Sequence, residues 1–305
     1  MRPAAGALLA AVMGAALVAC SPMESPAGRA RALDQRAREV ATRAAEADSA
    51  ARRGTPSEAP IALWILPYHY AEISGLSLTA DGRLLALGDE NSEIWEIDYR
   101  RGVVTKRFTV GDPAIQADFE GLVAVDKQLF LMDSKGRIYR TTEGADAAQV
   151  AYDEFDPGLG KECEFEGLNY DPSADALLMA CKHVGKGAPQ SALVIYRISL
   201  GDRQATAVPI VVPIAQLNAR GASWKEFEAS EITRDPRTGN FLVMSSLQRG
   251  LVEITPAGAL VRASDIPGNH RQPEGAAITP DGRLIVADEA AGDSPVITVY
   301  PSIGS

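Results

Sequence analysis

Glu164-Phe165-Glu166-Gly167-Leu168 is one of five near-copies of a single short phrase. The others are Glu72-Ile73-Ser74-Gly75-Leu76, Asp118-Phe119-Glu120-Gly121-Leu122, Glu228-Ala229-Ser230-Glu231-Ile232 and Gln272-Pro273-Glu274-Gly275-Ala276. After each copy come a turn and an apolar run, such as Leu129-Phe130-Leu131-Met132-Asp133 or Leu284-Ile285-Val286-Ala287-Asp288. A third strand follows, as in Ile94-Trp95-Glu96-Ile97 and Leu251-Val252-Glu253-Ile254. The copies start 46, 46, 64 and 44 residues apart. About 45 residues make a four-stranded blade with its turns, so the repeat predicts an all-β fold, a β-propeller.

The longest interval carries extra material around His183–Gln190 and Leu217–Lys225, read as long loops, with a small sixth blade as the alternative. The last copy has only 34 residues, Gln272 to Ser305, enough for three strands. Its fourth strand is expected from Ile61-Ala62-Leu63-Trp64-Ile65-Leu66, which precedes the first motif. Pairing the two ends of the chain in one blade closes the ring and removes exposed sheet edges. Five blades spanning residues 61–305 are the expectation, with six as the alternative.

Upstream the pattern changes. Arg2 is the only charge before an apolar run from Ala4 to Ala19, which ends in Leu17-Val18-Ala19-Cys20. This looks like a bacterial lipobox, with residues 1–19 as a lipoprotein signal peptide and Cys20 as the lipidated first residue of the mature chain. The alternative is an ordinary secreted protein cut nearby. Ser21 after the cysteine resembles lipoproteins directed to the outer membrane. Residues 20–60 form an Ala/Arg-rich tether, expected to hold a solvated helix because it offers no wide apolar stripe. Within it, residues 29–53 carry seven arginines against four acids, giving +3, and Arg2 cancels Glu24, so the −10 of the whole chain leaves −13 on residues 54–305. Such a domain repels nucleic acid and favours cations or cationic ligands.

The repeated pattern resembles the SdiA-regulated family of bacterial β-propeller proteins, which are lipoproteins or membrane-anchored. The pieces that carry the likeness are Glu72 to Leu76, Asp118 to Leu122, Phe165-Glu166-Gly167-Leu168, the blade from Ser230 to Ile254, and Pro273-Glu274-Gly275 followed by Asp281-Gly282-Arg283-Leu284. Together they span roughly residues 64 to 303. The resemblance implies a propeller in the cell envelope, and no particular activity. Glu231 departs from the pattern, standing where the other copies have glycine. A more distant similarity is to calcium-dependent lactonases, related esterases and phytase-like propellers, in which a glutamate beside a glycine helps hold a metal. Glu120, Glu166 and Glu274 match that local pattern.

Two columns of the motif could carry chemistry. The first reads Glu72, Asp118, Glu164, Glu228, Gln272 and the second Ser74, Glu120, Glu166, Ser230, Glu274. Two residues apart on a strand, they should share a face and approach the axis together. One reading is a ring of hard oxygen ligands for calcium, with Glu72, Asp118, Glu120, Glu164, Glu166, Glu228 and Glu274 as candidates. The other is a set of acceptors bonding the backbone of neighbouring blades. Cys163 and Cys181 flank one hairpin and are read as a disulfide in an oxidising compartment, with buried thiols as the alternative. His69, His183 and His270 form no metal motif, and no nucleophile elbow, phosphate loop, dinucleotide fingerprint or Cys-x-x-Cys is present.

These features predict a lipid-anchored envelope propeller, on the outer membrane facing the periplasm. It would bind a small-molecule or protein ligand and no nucleic acid, with calcium as the expected ion. The alternative is a calcium-dependent hydrolase of an ester, lactone or phosphoester.

Overall fold

Five antiparallel sheets account for nearly every strand of the computed structural model, which describes residues 25–54, 59–206, 208–219 and 221–302. Cys20 and the signal segment lie outside the described residues. Blade 1 runs Ile73–Leu78, Leu84–Gly88, Glu93–Asp98 and Val103–Val110 from axis to rim. Blade 2 is Phe119–Val125, Gln128–Asp133, Ile138–Thr142 and Tyr152–Phe155. Blade 3 is Cys163–Asp171, Ala176–Val184, Ala192–Ser199 and Ile210–Pro213, and blade 4 is Glu231–Arg234, Phe241–Ser245, Gly250–Ile254 and Leu260–Asp265. Blade 5 takes Pro273–Ile278, Arg283–Asp288 and Val296–Ser302 from the end of the chain and Ala62–Ile65 from its beginning.

That last pairing closes the ring. Ala62 opposes Val299 and Ile65 opposes Val296, antiparallel. Each inner strand packs on the next, blade 1 on 2 and onward, and blade 5 returns to blade 1. The fold is a five-bladed propeller. The long third interval is spent on the extended hairpin to Val184 and on a short helix, Ile214–Asn218, and makes no sixth sheet.

Tight turns make the repeat possible. Asp81-Gly82 and Asp281-Gly282 place glycine at φ 79° and 85°, the left-handed region that side chains resist. Between blades the faces are apolar. Phe130 and Met132 of blade 2 meet Phe165, Leu168 and Met179 of blade 3 in one buried cluster. Phe165 has no exposed surface, and cutting it to alanine should cost about 3–5 kcal/mol.

The expected N-terminal helix, α1, spans Pro26–Arg52. Ser25 caps it, its Oγ accepting the Gly28 N–H at 3.1 Å, and proline opens the first turn. It is solvated on most of its surface, but it does not hang free. Leu33, Ala37, Val40, Ala44 and Ala47 recur at four- and three-residue steps, a stripe too narrow to stand out in composition. Val40 and Ala44 bury themselves against blade 5 and Tyr99. Arg101 reaches Asp34 at 3.1 Å and Arg283 reaches Asp48 at 3.0 Å. The exposed Arg101–Asp34 pair contributes little, so the apolar stripe and the partly buried Arg283–Asp48 pair hold the helix. Among the described residues no helix is long and apolar enough to cross a membrane.

Candidate functional site

The inner strands do not run to the axis with an unbroken two-residue period. In blade 1 Ile73 opposes Gly88 and Gly75 opposes Leu87, which leaves Ser74 as an extra residue. Glu120 is the extra residue of blade 2, between Phe119 and Gly121, and Glu274 that of blade 5, between Pro273 and Gly275. In blade 3 Phe165 opposes Cys181 and Leu168 opposes Met179, so Glu166 and Gly167 together face Ala180. Each is a β-bulge, which bends the strand and re-aims one side chain. In four of the five blades the second motif column thus sits at a bulge.

The neighbouring glycines serve the ring itself. A Cβ on Gly121 would lie 2.6 Å from that of Leu168, and one on Gly167 only 2.7 Å from the Ile232 nitrogen. Inner strands of adjacent blades therefore touch backbone to backbone there. Glu231 takes the glycine position in blade 4 and uses it differently. Its side chain is wholly buried, with Oε1 accepting the Ile232 N–H at 2.8 Å and Oε2 the Leu76 N–H at 3.3 Å. Backbone N–H groups of Leu168 and Ala276 also bond it. Burial pushes its pKa well above the usual range, while donors from four blades pull against that. It stands as a polar plug in the middle of the ring.

On one side of this plug lies an acidic cavity of about 210 Å³, walled by Glu72, Ser74, Asp89, Glu120, Glu166, Lys182, Gln272, Glu274 and Glu289. It shares Glu166, Lys182, Gln272 and Glu274 with a wider basin of about 410 Å³ that reaches Glu228, Ser230, Arg249 and Arg271. Burial raises all the carboxyls whose values move, and their mutual repulsion adds to it. Glu120 rises to about 9 by burial, then by Glu166 and Asp118, with Lys182 opposing. Glu166 rises to about 8 by burial, against contact with the Lys182 ammonium and helped by Glu274. Glu274 rises to about 7 by burial, with Lys182 and hydrogen bonds from Ser246 and Gln272 opposing. Glu289 is pushed to about 8 by burial and by the hydrogen bond and charge of Glu72. Asp89 reaches about 6 by burial, then by the charges of Glu72, Glu90 and Asp118, and its Oδ1 is buried without a hydrogen bond. Lys182 is itself raised, because Glu166, Glu274 and Glu120 outweigh its burial.

The seven acids expected at the axis do not all arrive. Glu120, Glu166 and Glu274 do, Glu72 joins them, and Glu228 reaches only the outer basin, 3.8 Å from His183. Asp118 and Glu164 are exposed, although each stands two residues before a bulged glutamate just as Glu72 stands before bulged Ser74. The two serines of the second column act as interblade bonds instead. Ser74 Oγ donates to the Phe119 carbonyl at 2.7 Å, and Ser230 Oγ to the Pro273 carbonyl at 3.0 Å. Among the described residues no group of three or more His, Cys, Asp or Glu is arranged to hold a metal ion. The donor chemistry, all oxygen, suits calcium; the spacing does not preassemble a cage, and Lys182 already occupies Glu166.

Cys163 and Cys181 are joined in blade 3, with their Cα atoms 5.5 Å apart. His270 is part of the fold, not of the cavity. Its Nδ1 lies 2.6 Å from Asp288 and its Nε2 2.7 Å from the Tyr300 hydroxyl, all three buried. Two features were hard to see in advance: the plug at Glu231, visible only as a broken glycine column, and the placement of Lys182 among the carboxyls.

No protein-family model matches the chain, and no curated protein matches it either. Solved structures do. Over 81% of its length the chain is similar to a glutaminyl cyclase from Myxococcus xanthus, with a TM-score of 0.54, 12% identity and 97% of that chain covered. Over 81% it is also similar to a luciferin-regenerating enzyme, with a TM-score of 0.51, 9% identity and 96% of that chain covered. At these identities the likeness concerns the fold, and the class it defines is the β-propeller.

Proposed function

We propose that this chain is a lipid-anchored cell-envelope β-propeller of the SdiA-regulated type, a binding module whose acidic axial cavity takes a cation, calcium being the ion its oxygen donors suit. The observation that carries the reading is the crowding of Glu72, Asp89, Glu120, Glu166, Glu274 and Glu289 around one cavity, with Lys182 as the single cation on its wall among the described residues. Like charges held at raised values must keep protons, find donors or gain a cation. Ion binding would require the Lys182 ammonium to leave Glu166. The lipobox-like Leu17-Val18-Ala19-Cys20 supports the anchor, and α1 starts only six residues beyond Cys20. Cys20→Ser should move the protein out of the membrane fraction; retention there rejects the anchor.

Ligands that bind only the folded state raise its melting temperature with concentration. Millimolar calcium should therefore raise the melting temperature above that in chelator, and Lys182→Met should enlarge the difference. Identical melting curves reject the ion. The second reading, a calcium-dependent hydrolase of an ester, lactone or phosphoester, is favoured by Glu274 at about 7 and Glu166 at about 8, values suited to proton transfer near neutrality. Turnover of generic substrates that needs calcium and is lost in Glu166→Gln would establish it; its absence leaves the binding module.

A further inference from the structure

The opposite mouth of the ring is built from different chemistry. The inner strands all run the same way, so their C-terminal ends gather on the side of Glu231 away from the acidic cavity. They enclose a second cavity of about 320 Å³. Its wall is divided about evenly between polar and apolar surface, the apolar part coming from Leu78, Val123, Tyr170 and Ile278 of four blades. The Tyr170 hydroxyl donates to Asp175 at 2.9 Å, so its polar atom is already paired.

The polar groups on this wall are mostly spent. Ser77 Oγ accepts the Ala124 N–H at 2.9 Å, and Asn169 donates to the Ile232 carbonyl at 3.1 Å while accepting from Tyr170 N–H. Arg234 is the exception. It is half-buried on the cavity wall, and its guanidinium makes no hydrogen bond or ion pair among the described residues. Asp126 on the same rim is exposed, and no ion pair joins the two. A half-buried charge without a partner is costly, and a guanidinium fork matches a carboxylate in both geometry and charge.

We infer that this mouth is a second binding site, for a small carboxylate carrying an apolar body, with Arg234 taking the carboxylate and the blade ends taking the body. The cavity is concave, joins an apolar patch from four blades to the unpaired Arg234 guanidinium, and leaves Asp126 out in solvent at its rim, a make-up that suits a small amphipathic molecule. It is separated from the acidic side by the Glu231 plug, and its ligand is of the opposite charge. The site therefore stands whether or not the axial cavity binds calcium.

Calorimetric titration of the purified chain with octanoate tests it. Saturable binding is expected, with octylamine failing to match it. Arg234→Met should weaken octanoate at least about tenfold, the worth of a charge-assisted hydrogen bond. Ala124→Phe, which fills the mouth, should abolish binding, and Glu120→Gln on the far side should leave it unchanged. No saturable octanoate binding, equal affinity in Arg234→Met, or binding that survives Ala124→Phe would each overturn the site. If Arg234→Met does not fold, the Ala124→Phe result decides alone.

Discussion

Glu231 occupies the position that glycine holds in the other four motifs, and its carboxyl gathers backbone N–H groups from Leu76, Leu168, Ile232 and Ala276. Restoring the repeat with Glu231→Gly strands those donors on the axis. Unpaired buried groups cost about 1–3 kcal/mol each, and re-entering water offsets part of that, so a loss of about 2–4 kcal/mol in urea unfolding is expected. Unchanged stability would mean that the plug is not what the geometry says. Around it the carboxyl values make a second prediction. Glu120, Glu166, Glu274 and Glu289 hold protons more tightly folded than at the ordinary 4.5, with values of about 9, 8, 7 and 8. The folded state thus binds more protons than the unfolded chain above that ordinary value, and stability falls as pH rises through 7 to 9. The melting temperature should drop between pH 6 and pH 8.5 without added cation, and Glu120→Gln should shrink the drop. A flat profile contradicts the crowding. The sequence showed which residues repeat, but pKa and burial depend on the convergence of blades far apart in the chain, which no local pattern encodes.

At the level of elements, the two-residue spacing predicts two columns on one strand face, and the structure interrupts that period with a bulge in four blades. An extra residue at Glu120, Glu166 and Glu274 accompanies the turn of these three inward, while of the first column Glu72 and Gln272 reach the cavity and Asp118 and Glu164 stay exposed. A bulge has no sequence mark apart from the glycine beside it, and that glycine already had another use, the close approach of inner strands. The helix was likewise only half legible. Its helical character was visible in the Ala/Arg-rich composition, but its docking rests on Val40, Ala44 and three half-buried neighbours. Val40→Asp should free α1, raising its hydrogen exchange while the propeller melts nearly as before. A collapse of the whole propeller would show α1 to be integral to the fold. Reduction of the Cys163–Cys181 bridge, or its double replacement by alanine, should cost about 2–4 kcal/mol in unfolding free energy. Two titratable thiols in the unfolded, unreduced protein would contradict the bridge.

The whole molecule was the most legible level, because a repeat of about 45 residues reports the blade regardless of what each blade does. The borrowed strand Ala62–Ile65 was visible as an apolar run with no copy of its own to serve. Five similar inner strands then give the ring two unlike ends. The beginnings of the strands carry acids, and their C-terminal ends carry apolar side chains with Arg234. Glu231 stands between them, so a ligand at one end does not pass to the other. The central claim is that bulged glutamates from three blades make the acidic end a cation site. Calorimetric titration with calcium, comparing the parent chain with the Glu120→Gln, Glu166→Gln, Glu274→Gln triple variant, tests it most directly. One saturable calcium per parent chain is expected, and no binding by a variant that retains the parental circular dichroism. Absence of binding by the parent, or undiminished binding by the triple variant, would contradict it.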